Sequence, residues 1–308
     1  MNIIDDHIDF SAYMQMTEHD HTVRPASNYI EEVERMMFDP LAPKGAKLPF
    51  RKMSDKIRFR EAEVTIWTGY NGHGKSLLLG QAVLGLLAQQ QRTCIASMEM
   101  RPAATLARMA RQGEGTINGT REFVRELYSD DLAGKYIWLY DQMGMVNADK
   151  IVAVGAYAQE KRGCSHFVID SLLKCGIFED DYNGQKRFVD KLCTLARDTG
   201  IHVHLVCHSR KGKDEMSPPG KMDVRGAASI TDQVDNVISV WRNKPKEQAL
   251  ETGSGYNHND PDALMIISKQ RHGDWEGQCA LWFDRHSQQF TETRDSNTVN
   301  LLNPRIYE

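Results

Sequence analysis

The chain has 308 residues, 41% of them hydrophobic, with a formal net charge of −4. That is enough apolar material for one large core, and the near-balanced charge excludes a uniformly basic polyanion binder while allowing a local basic channel. No stretch approaches the ~18 apolar residues of a membrane span and no apolar leader follows "MNIIDDHIDF", which excludes membrane and secreted classes and implies a soluble, cytoplasmic protein.

Residues 1–26 are polar and rich in His and Asp, with little periodicity, and read as an arm. "SNYIEEVERMMFDP" follows, with a Ser cap, early acids and Ile30, Val33 and Met37 at helical spacing before Pro40. It predicts a short isolated helix. The two prolines and basic residues of "LAPKGAKLPFRK" then read as a linker, which divides the chain into an arm with linker helix over 1–44 and a main domain over 45–308.

From residue 61 strand-like and helix-like stretches alternate: "EVTIWTG", "KSLLLGQAVLGLLAQQQ", "TCIASME", "PAATLARMARQ", "KYIWLYD", "KIVAVGAYAQEKRG", "HFVID", "FVDKLCTLARDTG" and "HVHLVCH". This order predicts an α/β fold with a mainly parallel sheet covered by helices. The last third, "NVISVWRN", "ALMIISKQR" and "CALWFD", looks hairpin-like. Loops long enough to carry function fall near 171–184, 209–222 and 243–260. The six cysteines show no C-x-x-C spacing and several sit in apolar runs, as expected of reduced, buried thiols.

Chemistry concentrates in "GYNGHGKS". Gly69, Gly72, Gly74, Lys75 and Ser76 lie within G-x-x-x-x-G-K-S between a predicted strand and a predicted helix, the setting a P-loop requires. Glycines let backbone N–H groups face phosphate oxygens and the helix N-terminus adds positive potential. Lys75 is then the group for the β and γ phosphates of ATP or another NTP or dNTP, and Ser76 the hydroxyl for Mg²⁺. His73, inside the loop, has no evident role.

The second magnesium partner is expected at the end of a buried strand, where "HFVID" offers Asp170, although an Asp there also serves as a helix cap. Glu99, in "ASMEM" after the P-loop helix, is either a surface acid or the group that orients or deprotonates water. A carboxylate on that strand, with Asp170 further on, points to a RecA-type layout. His208 ends "HLVCH" and is either structural or placed to sense the γ phosphate. Arg210, Lys211, Lys213 and Lys221 follow, a solvated loop or a grip on a phosphodiester backbone. Lys269 and Arg271 stand two residues apart at a predicted hairpin tip, a charged tip or a pair that projects a guanidinium into a neighbour's nucleotide.

The ordered set "GYNGHGKS", "ASMEM", "HFVID", "LVCHSRKGK", "DVRGAASITDQVDNVISVWRN" and "SKQRHGDWEG" resembles the RecA-like hexameric replicative DNA helicases of the DnaB family, superfamily 4, and among them the helicase half of phage primase-helicases and Twinkle. The resemblance spans residues 45–292. It implies that Lys75 and Ser76 bind phosphate and magnesium, that Glu99 is the catalytic base and Asp170 the second magnesium partner. It makes His208 the γ-phosphate sensor, and Arg271 with Lys269 an arginine finger and its companion acting across a subunit boundary. Lys211 and Lys213 fall at the central DNA-binding loop, Arg225 and Gly226 at the start of the next motif with Gln233 further along it, and the helix near 28–38 where a linker helix docks on the next subunit.

His208 replaces the Gln usual in bacterial members, which favours the phage and mitochondrial branch, and "RGAAS" replaces the family's "GSG"-like turn. Too little chain precedes the P-loop strand for a primase domain, so priming is expected from a separate primase, with a loader as the other expected partner. The implied function is an ATP-dependent ring, of six subunits, that translocates on single-stranded DNA in replication, in a bacterial or phage-infected cell or an organelle matrix. Two alternatives stay open: a RecA-type ATPase acting on DNA as a recombination or replication accessory without unwinding, and a regulatory ATPase ring that does not act on DNA.

Overall fold

The computed structural model describes residues 2–4, 26–38, 44–115, 120–209, 215–219, 228–255, 257 and 259–307. Its core is a ten-stranded sheet in the order β1-β6-β5-β7-β8-β4-β9-β10-β11-β12. The strands are β1 (Asn2–Ile4), β4 (Val64–Thr68), β5 (Thr93–Ser97), β6 (Ile137–Tyr140), β7 (His166–Asp170), β8 (His202–Val206), β9 (Asn236–Arg242), β10 (Ala263–Gln270), β11 (Gly277–Phe283) and β12 (Phe290–Thr291). β2 (Ala46–Lys47) and β3 (Arg58–Phe59) form a separate antiparallel pair. Every pairing from β1 through β9 is parallel, and β10, β11 and β12 add antiparallel strands at one side. This is the α/β, mainly parallel sheet that the strand and helix alternation predicts.

The buried strands read as near-continuous apolar runs because both faces are covered, and their period of two splits them between two cores. Val64, Ile66, Phe167, Ile169, Val203 and Leu205 meet the helices Ala148–Arg162 and Tyr182–Thr199 on one face. Trp67, Ile95, Val168, Val206, Ile238 and Val240 meet the helices Lys75–Ala88 and Pro102–Glu114 on the other. Lys75–Ala88 is apolar nearly all round because it lies beneath other elements as well as on the sheet. Pro102 occupies the first turn of its helix, as expected.

Several expectations are corrected. Asn2–Ile4, within the stretch that reads as an arm, form β1 and pair with Trp138, Leu139 and Tyr140 of the neighbouring strand β6. The helix near the N-terminus runs Ile30–Phe38 and is entered through a 3₁₀ turn, Ala26–Tyr29, which absorbs Ser27 and removes it from the capping position. The stretch read as a linker is part of the core from residue 46 onward, because Ala46, Leu48 and Phe50 are buried. The supposed loop 243–260 contains a helix, Lys244–Thr252, whose start is capped by the Asn243 side chain accepting from Lys246 N, with a proline in the first turn. β9 is no hairpin strand toward β4, since it continues the parallel sheet and only its other edge meets antiparallel β10. All six cysteines are free and all but Cys193 are buried, as the composition implied.

Three buried histidines close the amino-terminal half of the sheet. The Trp67 indole N–H can only donate, so His204 Nδ1 accepts at 3.2 Å and Nε2 carries the proton toward His166 Nδ1, also at 3.2 Å. His202 Nδ1 donates to the Arg60 carbonyl at 2.6 Å, which leaves Nε2 to accept from the Thr65 hydroxyl at 2.9 Å. Each ring is thereby held in one neutral tautomer, and burial keeps all three from protonating in the ordinary histidine range.

Candidate nucleotide site

Parallel strands bring their carboxyl ends to one edge, and a crevice forms there. β5, β7, β8 and β4 are consecutive in the sheet, so the residues that leave them, Glu99, Asp170, His208 and Gly69, are neighbours despite their separation in sequence. This adjacency brings together most of the chemistry-bearing residues expected from the motifs.

The loop between β4 and the helix Lys75–Ala88 needs its glycines. Gly69 has φ 150° and a Cβ there would stand 2.3 Å from the Val240 carbonyl oxygen, while Gly74 caps the helix at φ 88°, a conformation side chains resist. Lys75 Nζ donates to Gly69 O at 3.0 Å and Tyr70 O at 2.9 Å and lies 3.4 Å from His208 Nδ1. Burial lowers its pKa to about 8, against the pull of Asp170 and Glu99.

Asp170 is buried and hydrogen-bonded to Ser76; burial raises its pKa, opposed by that bond and by the Arg108 and Lys75 charges. A hydroxyl and a carboxylate side by side suit Mg²⁺, which takes one or two protein ligands and completes its shell with phosphate and water. Among the described residues no group of three or more His, Cys, Asp or Glu forms a self-sufficient metal cage. Ser171 Oγ donates to Glu99 Oε1 at 2.6 Å, and His208 Nε2 faces the same oxygen at 3.8 Å. The facing His208 imidazole first, then Ser171, hold the Glu99 carboxyl down to about 2 against its partial burial. At 3.8 Å the imidazole is beyond direct hydrogen-bond length, so the short contact belongs to Ser171.

The other predicted residues lie apart. Arg271 Nη1 pairs with Asp235 Oδ1 at 3.0 Å, and Asp235 Oδ2 in turn accepts from Val64 N at the start of β4. The P-loop leaves the opposite end of that strand, about 13 Å away at ~3.3 Å per residue. Lys269 does reach the same side as Arg271, as the spacing predicted, but its Nζ is engaged by the carbonyls of Thr231, Asp232 and Val234. Arg210, Lys211, Lys213, Lys221 and Arg225 lie outside the described residues.

Sequence reasoning missed three features. Arg108, one helix away, donates from Nη2 to the Ser76 carbonyl at 3.1 Å and its charge faces Asp170. Ser171 was legible only as the residue after Asp170. A cleft of about 290 Å³ adjoins the P-loop, lined by His73, Leu77, Arg242, Lys246, Phe283 and Phe290. Its two phenylalanine rings lie 5.1 Å apart, and their spacing from the P-loop in sequence gave no signal.

A phosphate-cradling loop with a buried lysine, a Ser–Asp pair and an ionised Glu at the carboxyl ends of a parallel sheet defines a P-loop ATPase domain of RecA-like fold. The chain belongs to the AAA domain family, whose profile matches residues 44–214. A DNA helicase/primase of Enterobacteria phage T3 is 26% identical over 209 residues, which cover 60% of this chain and 36% of that protein. The chain therefore spans well under two thirds of that relative. Among solved structures, the ATPase domain of G40P superposes with a TM-score of 0.67 at 17% identity, covering 90% of this chain and all of that one. A DnaB-like replicative helicase, solved for its structure and its interactions with primase, gives 0.64 at 16% identity over 89% of this chain and 67% of that one. A KaiC-like protein of Pyrococcus horikoshii OT3 gives 0.58 at 16% identity over 80% of this chain and 98% of that one. The RecA-like fold and the resemblance to DnaB-type helicases expected from the motifs agree with these likenesses.

Proposed function

We propose that this chain is an ATP-driven DNA helicase that works as a ring, of six subunits, and translocates on single-stranded DNA during replication. The observation that carries the reading is the division of the chemistry between opposite ends of β4. Lys75, Ser76, Glu99, Asp170 and His208 gather at one end, and Arg271 stands at the other, half exposed and too far away to serve its own site. The helicase/primase named for phage T3 supports the DNA reading.

In this mechanism the P-loop amides and Lys75 hold the β and γ phosphates of ATP or another NTP or dNTP, and the cleft beside Phe283 takes the base. Ser76 and Asp170 hold Mg²⁺, which when bound offsets phosphate charge. Glu99 is ionised at every physiological pH and orients the attacking water, and His208, between Lys75 and Glu99, registers the γ phosphate. Arg271 of the adjacent subunit offsets charge that develops on the transferred phosphoryl group. Lys269 sets the backbone that Arg271 rests on. Arg210, Lys211, Lys213, Lys221 and Arg225 contact the DNA backbone, and within residues 1–44 the helix near 28–38 docks on the adjacent subunit, beside the 45–308 ATPase domain. A primase or loader acts alongside it in the cytoplasm or an organelle matrix. Among the described residues no helix is long and apolar enough to cross a membrane.

ATP turnover with and without oligo(dT), combined with unwinding of a forked duplex, tests the proposal. Stimulation by DNA with strand separation supports it. Stimulation without separation selects a replication or recombination accessory, and turnover indifferent to DNA selects a regulatory ring.

A further inference from the structure

Phosphate binding by the P-loop falls to backbone amides, Lys75 and Ser76, and leaves its buried His73 without a role. Its side chain is fully buried. Nδ1 accepts from the backbone N–H of Arg242 at 3.1 Å, at the end of β9, so Nδ1 carries no proton and Nε2 carries one. Nε2 is aimed at Glu215, 3.6 Å from Oε2, and the Tyr70 ring packs edge-on against the imidazole at 5.2 Å. Glu215 is held a second time, through its carbonyl, by the indole N–H of Trp241 at 2.9 Å. Trp241 neighbours Arg242, so the same end of β9 supports both members of the His73–Glu215 pair.

Glu215 has a notable place in the sequence: it closes the stretch Arg210-Lys211-Gly212-Lys213-Asp214. Ser209, which opens that stretch, also rests on the phosphate loop. Its N–H donates to Gly69 O at 3.0 Å and its hydroxyl lies 3.3 Å from Thr68 Oγ1. Both flanks of the basic stretch are therefore anchored on residues 68–73, one through the end of β8 and the other through His73.

We propose that His73 is a positioning residue that couples the nucleotide-binding loop to Glu215, so that a nucleotide on the loop shifts the distal flank of the basic stretch. By thermodynamic reciprocity, a polynucleotide on that stretch changes nucleotide affinity by the same factor. The polynucleotide half of this statement rests on the function proposed above; the coupling of nucleotide to Glu215 does not.

The test uses the full chain and two measurements: hydrogen exchange of the peptide containing Glu215–Ser217 with and without Mg–AMPPNP, and ATP turnover with and without oligo(dT). In the wild type, AMPPNP changes exchange of that peptide. Glu215→Ala abolishes the change, keeps basal turnover and the KM for ATP within about twofold, and lowers the ratio of DNA-stimulated to basal turnover by about fivefold or more. His73→Asn keeps an acceptor for Arg242 N–H but is too short to reach Glu215, and likewise abolishes the exchange response of the Glu215 peptide while AMPPNP still protects the P-loop peptide. His73→Gln restores a donor and recovers the response, and the double variant is no worse than either single one. The coupling is overturned if AMPPNP leaves the Glu215 peptide unchanged in the wild type, or changes it equally in wild type and variants. Loss of the exchange response in the variants, with turnover indifferent to oligo(dT) throughout, upholds the coupling and refutes the DNA reading alone.

Discussion

Arg271 is bound to Asp235 through a 3.0 Å ion pair, and Asp235 is bound to the first residue of the strand whose other end carries the P-loop. The guanidinium is half exposed and its ion pair contributes at most about 1 kcal/mol to stability. Arg271→Ala is therefore expected to fold and bind ATP normally yet lose DNA-stimulated hydrolysis by about a thousandfold, the scale of an arginine finger. Arg271→Lys keeps a charge for Asp235 but not the planar fork, and is expected to be nearly as inactive. Turnover of each variant alone, and mixed with Lys75→Ala subunits, checks this: mixing restores activity if each site is shared between chains, and full activity of Arg271→Ala alone would remove it from the site.

Glu99→Gln preserves shape and the hydrogen bond from Ser171 while removing the negative charge. Hydrolysis is expected to fall by about 10²–10⁴ with ATP affinity within a few-fold of wild type. Because the carboxyl is held down to about 2, wild-type activity should show no falling limb from Glu99 between pH 7 and pH 5. A pH–rate profile over that range, corrected for unfolding, is the check.

Phe283 and Phe290 line the cleft beside the P-loop, and stacking of a base on an aromatic ring contributes about 1–3 kcal/mol. Phe283→Ala is expected to weaken ATP binding by about tenfold and to leave tripolyphosphate affinity unchanged. Equal loss for both ligands, read by calorimetry, would place the base elsewhere.

The His166–His202–His204 network makes stability sensitive to acid. The pKa of His202 is lowered by burial from 6.5 to about 4, and those of His166 and His204 are lower than the ordinary value for the same reason. Below pH 6.5 the unfolded chain takes up protons that the folded chain refuses, so stability falls as pH drops from 6.5 toward 4. At pH 5 each ring costs about 2 kcal/mol relative to pH 7.5. Urea denaturation at the two pH values measures this, and His204→Phe should flatten the difference by roughly one ring's share.

Gly69→Ala is expected to be destabilising by about 2–4 kcal/mol, because its Cβ falls 2.3 Å from Val240 O in a backbone conformation that side chains rarely adopt. Thermal denaturation reads this directly; an unchanged melting temperature would mean the loop relaxes away from β9.

Local signals determined much of this protein. "GYNGHGKS" between an alternating-strand pattern and an apolar helix specified the phosphate loop, because that geometry depends on consecutive residues whose conformational limits are intrinsic. The ends of "HFVID" and "HVHLVCH" marked Asp170 and His208 for the same reason: a buried strand must surrender polar residues where it leaves the core. The Asn243 cap and the following proline fit a helix start, but the polar residues around them carry no apolar periodicity that would mark a helix in the sequence.

What tertiary structure alone decided is who stands beside whom. Strand order placed Glu99, Asp170 and His208 on adjacent strands, put Ser171 and Arg108 behind them, and set Arg271 at the far end of β4 from its own P-loop. No periodicity encodes a neighbour that arrives from another strand by a crossover. His73 shows the limit most clearly: within its octapeptide it is a residue between two glycines, and only the packing of β9 against the loop gives its Nδ1 a donor in Arg242 N–H and turns its Nε2 toward Glu215, 3.6 Å away.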